Sequence, residues 1–184
     1  VEHSHAALAH AYEAGASRLP FAVLRGYVGT DFAAVNPEIR SVTCPFTGEE
    51  LAAVPAINPD ITFIHALKAD RAGNVLIEGI TGVQKEAVLA AGKAVVTVEE
   101  TVDSLDPHPN ALVLPHWVVT AIAEVPGGAH PSYAHGYYPR DNATYRAWDA
   151  ISADRTRFLD WMKTHVIDED ARVFATRVAK LTDG

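Results

Sequence analysis

Between Ile61 and Thr97 the residue pattern switches from extended to turn, back to extended, then to helical and extended again, and this limits what the chain can fold into. Ile61, Phe63 and Leu67 belong to a short apolar run rich in bulky and β-branched residues, the pattern of a buried strand. Asp70, Gly73 and Asn74 then supply turn chemistry, because Asp and Asn bond their own backbone and Gly accepts a positive φ. Val75 to Ile80 restores the extended pattern, so a hairpin is expected. Gly79 and Gly82 frame a corner, and Val83 to Ala91 sets Val83, Ala87, Val88 and Ala91 on one helical face. Gly92 is expected to cap that helix, and Ala94 to Val98 to form the next strand. The glycines of this stretch fall where an α/β protein places a ligand.

A chain of 184 residues is long enough for about one domain with one good core. No apolar run approaches the roughly 20 residues of a membrane span, so a soluble protein is expected, with no membrane partner. Its 23 Asp and Glu outnumber 15 scattered Lys and Arg, which disfavours nucleic acid as a partner, since that binding needs a cationic footprint. Cys44 is the only cysteine, so no internal disulfide is possible and a reducing cytoplasm is the expected location. The sequence opens Val1-Glu2-His3-Ser4 without an initiator Met, and upstream material is expected to be missing.

Ser4 suits the N-cap of a helix from His5 to Ala14, ended by Gly15. Leu19 to Leu24 reads as a strand with Pro20 at its start, where a missing amide matters least. The loop Arg25-Gly26-Tyr27-Val28-Gly29-Thr30-Asp31 follows, and loops after strands carry function disproportionately. From Phe32 to Ala56, Pro37, Pro45, Gly48 and Pro55 break the pattern, so extended excursions are expected, suited to a lid or an intersubunit contact. Ala111 to Leu114 and Val118 to Val125 read as strands, and Pro126 to Pro131 as irregular. Three helices are expected over Asn142 to Ile151, Arg155 to Val166 and Ala171 to Val178. Asp141 and Asp154 serve as caps, and Trp148, Phe158, Leu159 and Met162 as packing residues.

Nine histidines invite a metal hypothesis, but they show no HExxH or paired-Cys spacing, and no metal site is expected. The corner Gly79-Ile80-Thr81-Gly82 could offer backbone amides to a phosphate or thioester oxygen, or be a plain strand-to-helix turn. Glu99 and Glu100, at an expected strand end, could act as nucleophile or base, or solvate a loop. Glu2 lies beside His3 and Ser4, where it could do chemistry or aid the dipole of the first helix. Arg25 and Asp31 could hold an anionic substrate or pair with each other. Cys44, between Thr43 and Pro45, reads as a buried inert thiol.

Several phrases in order along nearly the whole chain resemble the A subunit of the family I CoA-transferases, in the glutaconate CoA-transferase-like branch. They are Glu2-His3-Ser4-His5, Arg18-Leu19-Pro20-Phe21, Arg25 to Asp31, Lys68 to Asn74, Thr97-Val98-Glu99-Glu100 and Val125 to Pro131. The resemblance implies an α/β fold with an open three-layer α/β/α sheet and a helical C-terminal segment, in a single domain over residues 1–184. It implies a separate B subunit, in an A2B2 or higher hetero-oligomer. CoA passes between an acyl-CoA and a carboxylic acid through a glutamyl-CoA intermediate on that B subunit, with no permanently bound cofactor. The substrate-binding residues it points to are Ser4, Arg25, Gly29, Thr30, Gly79, Gly82 and Gln84. In the family, the A subunit usually begins about 100 residues earlier, a stretch the size of an ordinary domain, so the chain is expected to be a C-terminal portion lacking a glycine-rich segment. A related branch opens a ring in steroid-derived CoA thioesters by hydrolysis, using a carboxylate of its A subunit, and there Glu2 is the candidate. A non-catalytic assembly module is the reading of another class.

Overall fold

The computed structural model describes residues 2–180, a mixed α/β chain in two compact units. The first comprises the residues up to Ile64 with Ile80–Val95 and Trp117–Ala121. It opens with α1 (His5–Ala16), whose first turn is closed by Ser4 Oγ accepting from the Ala7 amide. Three antiparallel strands follow, β1 (Phe21–Leu24), β2 (Arg40–Thr43) and β3 (Glu50–Pro55), in the order β1-β3-β2. Ala22 stands opposite Val54 and Leu24 opposite Ala52, so the period of two turns these four side chains to one face. That face packs on Ala7 and Ala11 of α1, with Tyr27 and Ile39 completing the cluster.

The segment from Phe32 to Ala56 is extended as expected over β2 and β3, which pair within this sheet, but opens with the short helix α2 (Phe32–Val35). Its prolines lie at strand margins and turns, where the missing amide breaks no ladder. Gly15 does not end α1 either. A Cβ there would collide with the Ile57 carbonyl and crowd Ala90, so glycine serves close packing inside the helix. The end comes later, where Arg18 takes φ 57° and the Leu19 amide reaches back 2.8 Å to the Ala14 carbonyl. Ala90 belongs to α3 (Gln84–Ala90), which packs against α1. Gly92, expected as the cap of α3, lies outside the left-handed region. Its amide instead donates 2.9 Å to the Pro59 carbonyl, at a close backbone approach that a side chain would crowd.

The second unit comprises His65–Gly79, Val96–His116 and the residues from Ile122 onward. It holds most of a five-stranded sheet, order β7-β5-β4-β6-β8. The strands are β4 (Ile61–Asp70), β5 (Val75–Ile77), β6 (Lys93–Val102), β7 (Leu112–Leu114) and β8 (Ala121–Glu124). The β4–β5 hairpin forms as expected, its turn fastened by Asp70 accepting from both the amide and the side chain of Asn74, with Gly73 at φ 90°. Val75, Val96, Val98 and Leu114 are fully buried in this unit's core. β6 runs four residues past the expected end and carries Glu99 and Glu100 inside the strand. Beyond the sheet come α4 (Asn142–Ser152), α5 (Arg155–Met162), a π-helical turn (Lys163–Ile167) and α6 (Ala171–Ala179). Asp141, Asp154 and Asp170 cap α4, α5 and α6 with their carboxylates. Trp148 meets Phe158 and Trp161 edge to face, whereas Leu159, expected to pack, is 51% exposed.

Candidate functional site

In the first unit, Tyr27 joins two of the sequence phrases. Its ring is buried, stacked 5.5 Å from Phe32, and its hydroxyl accepts from the Ser4 amide at 2.6 Å while donating to Ser4 Oγ at 3.1 Å. The turn holding Tyr27 is fixed in turn by Thr30, whose hydroxyl donates to the Tyr27 carbonyl, and by Gly29 at φ 73°. Asn36 donates 2.8 Å to the Glu2 carbonyl, and His3 lies 3.6 Å from Glu38. So Glu2, Ser4, Gly29 and Thr30 gather around one buried phenol, with the Glu2 side chain on the surface.

Arg25, at the start of this loop, binds Glu49 rather than Asp31. Its Nε and Nη2 donate to the two carboxylate oxygens at 2.6 and 2.8 Å, a bidentate fork. The hydrogen bond to Glu49 and its charge raise the arginine further above its ordinary value and hold Glu49 below the usual carboxylate range. Glu49 closes the turn that begins at Cys44, where the Cys44 amide donates to the Glu49 carbonyl. Cys44 is not the buried inert thiol expected. It is partly exposed, and hydrogen bonding from the Thr47 side chain and the amides of Phe46 and Thr47 favours the thiolate.

Gly82, at φ 55°, and Gln84 open α3 in the same unit. The side-chain oxygen of Gln84 is buried with no hydrogen-bond partner among the described residues. Gly79, at φ 86°, belongs to the second unit, where a Cβ would approach Tyr133 Oη and His135. Among the described residues no group of three or more His, Cys, Asp or Glu side chains could hold a metal ion.

The second unit contains a polar centre that residue patterns do not reveal. Glu99, whose bland reading is a loop acid in solvent, is only 5% exposed. Its carboxylate accepts from His65 Nε2 at 2.7 Å, Tyr138 Oη at 2.5 Å and the Gly127 amide at 2.7 Å. His65 Nδ1 meets Thr97 Oγ1 at 2.8 Å, so both ring nitrogens are engaged. Burial alone would raise the Glu99 carboxyl, but these donors bring it below the ordinary range. Burial, then the Glu99 carboxylate, pushes the Tyr138 phenol well up. Gly127 and Gly128 make the turn that reaches this centre; a Cβ on Gly128 would lie 2.6 Å from the His65 ring. Glu100 faces outward, where Tyr137 donates to it at 2.8 Å and Lys68 pairs with it at 3.1 Å. His130 and Asp141, 3.0 Å apart, form a further, partly covered pair.

Residues 1–125 match the coenzyme A transferase family. The A subunit of 3-oxoadipate CoA-transferase from Pseudomonas knackmussii is 57% identical over 183 residues, covering 100% of this chain and 64% of that protein. The cholesterol ring-cleaving hydrolase IpdA subunit of Mycobacterium tuberculosis is 30% identical over 172 residues, 86% of this chain and 58% of its own length. Among solved structures, glutaconate coenzyme A-transferase from Acidaminococcus fermentans superposes with a TM-score of 0.86 at 27% identity, over 97% of this chain and 64% of that one. The chain thus spans less than two thirds of each of these relatives.

Proposed function

The chain belongs to the coenzyme A transferase family, and on that premise we propose that it serves as the A subunit of an enzyme moving CoA between an acyl-CoA and a carboxylic acid of the 3-oxoadipate type. The observation that carries this reading is the likeness, over the whole chain, to the A subunit of the 3-oxoadipate enzyme. In this reading the thioester carbonyl is attacked by a glutamate of a partner B subunit, which expels CoA thiolate and leaves a mixed anhydride. The thiolate then attacks the glutamyl carbonyl, freeing the first carboxylate and leaving a glutamyl-CoA thioester. The acceptor carboxylate runs the two steps in reverse, so CoA is passed on without consuming water. An A2B2 assembly in a reducing cytoplasm fits this role and the single cysteine.

The contribution of this chain is positioning. Glu49 engages one edge of the Arg25 guanidinium, through Nε and Nη2, and orients it, leaving Nη1 to bind a substrate carboxylate. Ser4, Gly29 and Thr30 fix the loop that presents Arg25, through Tyr27. The buried Gln84 oxygen, at the start of α3 behind Gly82, accepts from an amide N–H of the CoA arm.

Two substitutions in the complex reconstituted with its B subunit test this. Arg25→Gln should raise KM for the acceptor acid about tenfold with kcat little changed, the mark of lost binding rather than lost chemistry. Glu2→Gln should leave transfer unaltered, because the nucleophile is supplied by the partner. Loss of turnover in Glu2→Gln would move the reading to the hydrolase, and unchanged turnover in both variants with normal assembly would leave only a scaffold.

A further inference from the structure

Trp148 of α4 and Trp161 of α5 meet edge to face, their ring centres 5.0 Å apart and their planes at 80°. Rings set at right angles do not stack shut, and these two line an open cavity of about 530 Å³ in the second unit, together with Ile151 and Phe174. That volume falls within the roughly 300–1,000 Å³ of small-molecule sites, which set a few converging polar groups into mostly apolar walls. Folded interiors hold few voids larger than a water molecule, so a space of this size is not a remnant of packing.

Two polar side chains of the lining converge on Phe174. The guanidinium carbon of Arg177 lies 5.3 Å from the centre of that ring, and His130 meets the ring edge to face at 6.1 Å. Glu169 accepts from Nε and Nη2 of Arg177, both at 3.0 Å, and Asp141 engages His130 Nε2 at the same distance. Each carboxylate fixes its partner on one side and leaves one nitrogen, Nη1 of Arg177 and Nδ1 of His130, without a protein partner among the described residues. A guanidinium N–H calls for an anion, and the indole and phenyl walls call for a flat apolar body. We propose that this cavity binds an aromatic monocarboxylate, its ring against Trp148 and Trp161 and its carboxylate on Arg177 Nη1. Such a ligand displaces loosely held water from the apolar walls and satisfies the one polar end. Neither the walls nor the anchor depends on the transfer reading, so the two stand or fall separately.

Isothermal titration calorimetry of the full chain with 2-naphthoate tests it, with 2-naphthylmethanol as the uncharged probe and acetate as the ringless one. Naphthoate should saturate a single site with a Kd of about 0.1 mM, and acetate should give no binding heat. The alcohol should bind about tenfold more weakly for want of the charge-assisted hydrogen bond. Arg177→Gln should weaken naphthoate about tenfold and leave the alcohol unchanged. Ile151→Trp fills the cavity from α4 without touching the Arg177–Glu169 pair, and should abolish binding of both probes even if Arg177→Gln folds poorly. Heat that never saturates with naphthoate would overturn the proposal, as would undiminished naphthoate binding in a folded Ile151→Trp. Loss of naphthoate binding when the B subunit is added would overturn it too, since the cavity would then be a seat for that partner.

Discussion

At the scale of single residues, Glu99 is the carboxylate around which the polar centre of the second unit is built. The carboxylate is visible as a candidate, but its three donors come from positions 34, 39 and 28 residues away, His65, Tyr138 and Gly127. No local pattern announces such a convergence. The same holds for Glu49, whose fork with Arg25 spans 24 residues. Glu99→Gln puts an amide N–H where a carboxylate now accepts, so one buried donor faces another. The expected loss is about 2–3 kcal/mol in urea unfolding, the cost of a buried unsatisfied group. A loss of only a few tenths would show that the centre is not closed as described. Gly128→Ala should also destabilise, because its Cβ would press on the His65 ring, which is held at both nitrogens and cannot turn away.

At the scale of elements, chemistry that is local in sequence is readable. The Asp70 to Asn74 turn, the Ser4 cap and the Asp141 and Asp154 caps all act within four residues, and each is found where expected. What depends on contact between distant segments is not readable. The pairing of β3 with β1 on one side and β2 on the other needs residues across the whole 21–55 span, and its proline-rich loops hide it. Gly15 makes the point measurable. Alanine is favoured over glycine inside a helix by about 1 kcal/mol, so Gly15→Ala would stabilise α1 if propensity decided. The Ile57 carbonyl stands where the methyl would go, so the variant should instead lower the melting temperature. Ser4→Ala should cost about 1 kcal/mol through the lost cap, read by chemical unfolding.

At the scale of the whole molecule, pH dependence follows from carboxylates held by hydrogen bonds. Glu99 and Asp141 titrate below their ordinary values of 4.5 and 3.8. For Asp141 the main cause is hydrogen bonding from the amide and hydroxyl of Thr144, with His130 adding to it. A folded value below the unfolded one means that the stabilisation is complete above the unfolded pKa and is lost as pH falls through the folded one. Stability should therefore be flat near neutrality and drop below about pH 4.5, and Glu99→Gln should remove part of that drop. The proposed role of the chain, within a complex that passes CoA from acid to acid, is open to direct test. The most direct measurement combines the chain with its B subunit, then follows the thioester when acyl-CoA and 3-oxoadipate are mixed. CoA should appear on 3-oxoadipate as the donor acid is released in equal amount, with no free CoA and no turnover by this chain alone. Free CoA or a ring-opened thioester, with none on the acceptor acid, would contradict it.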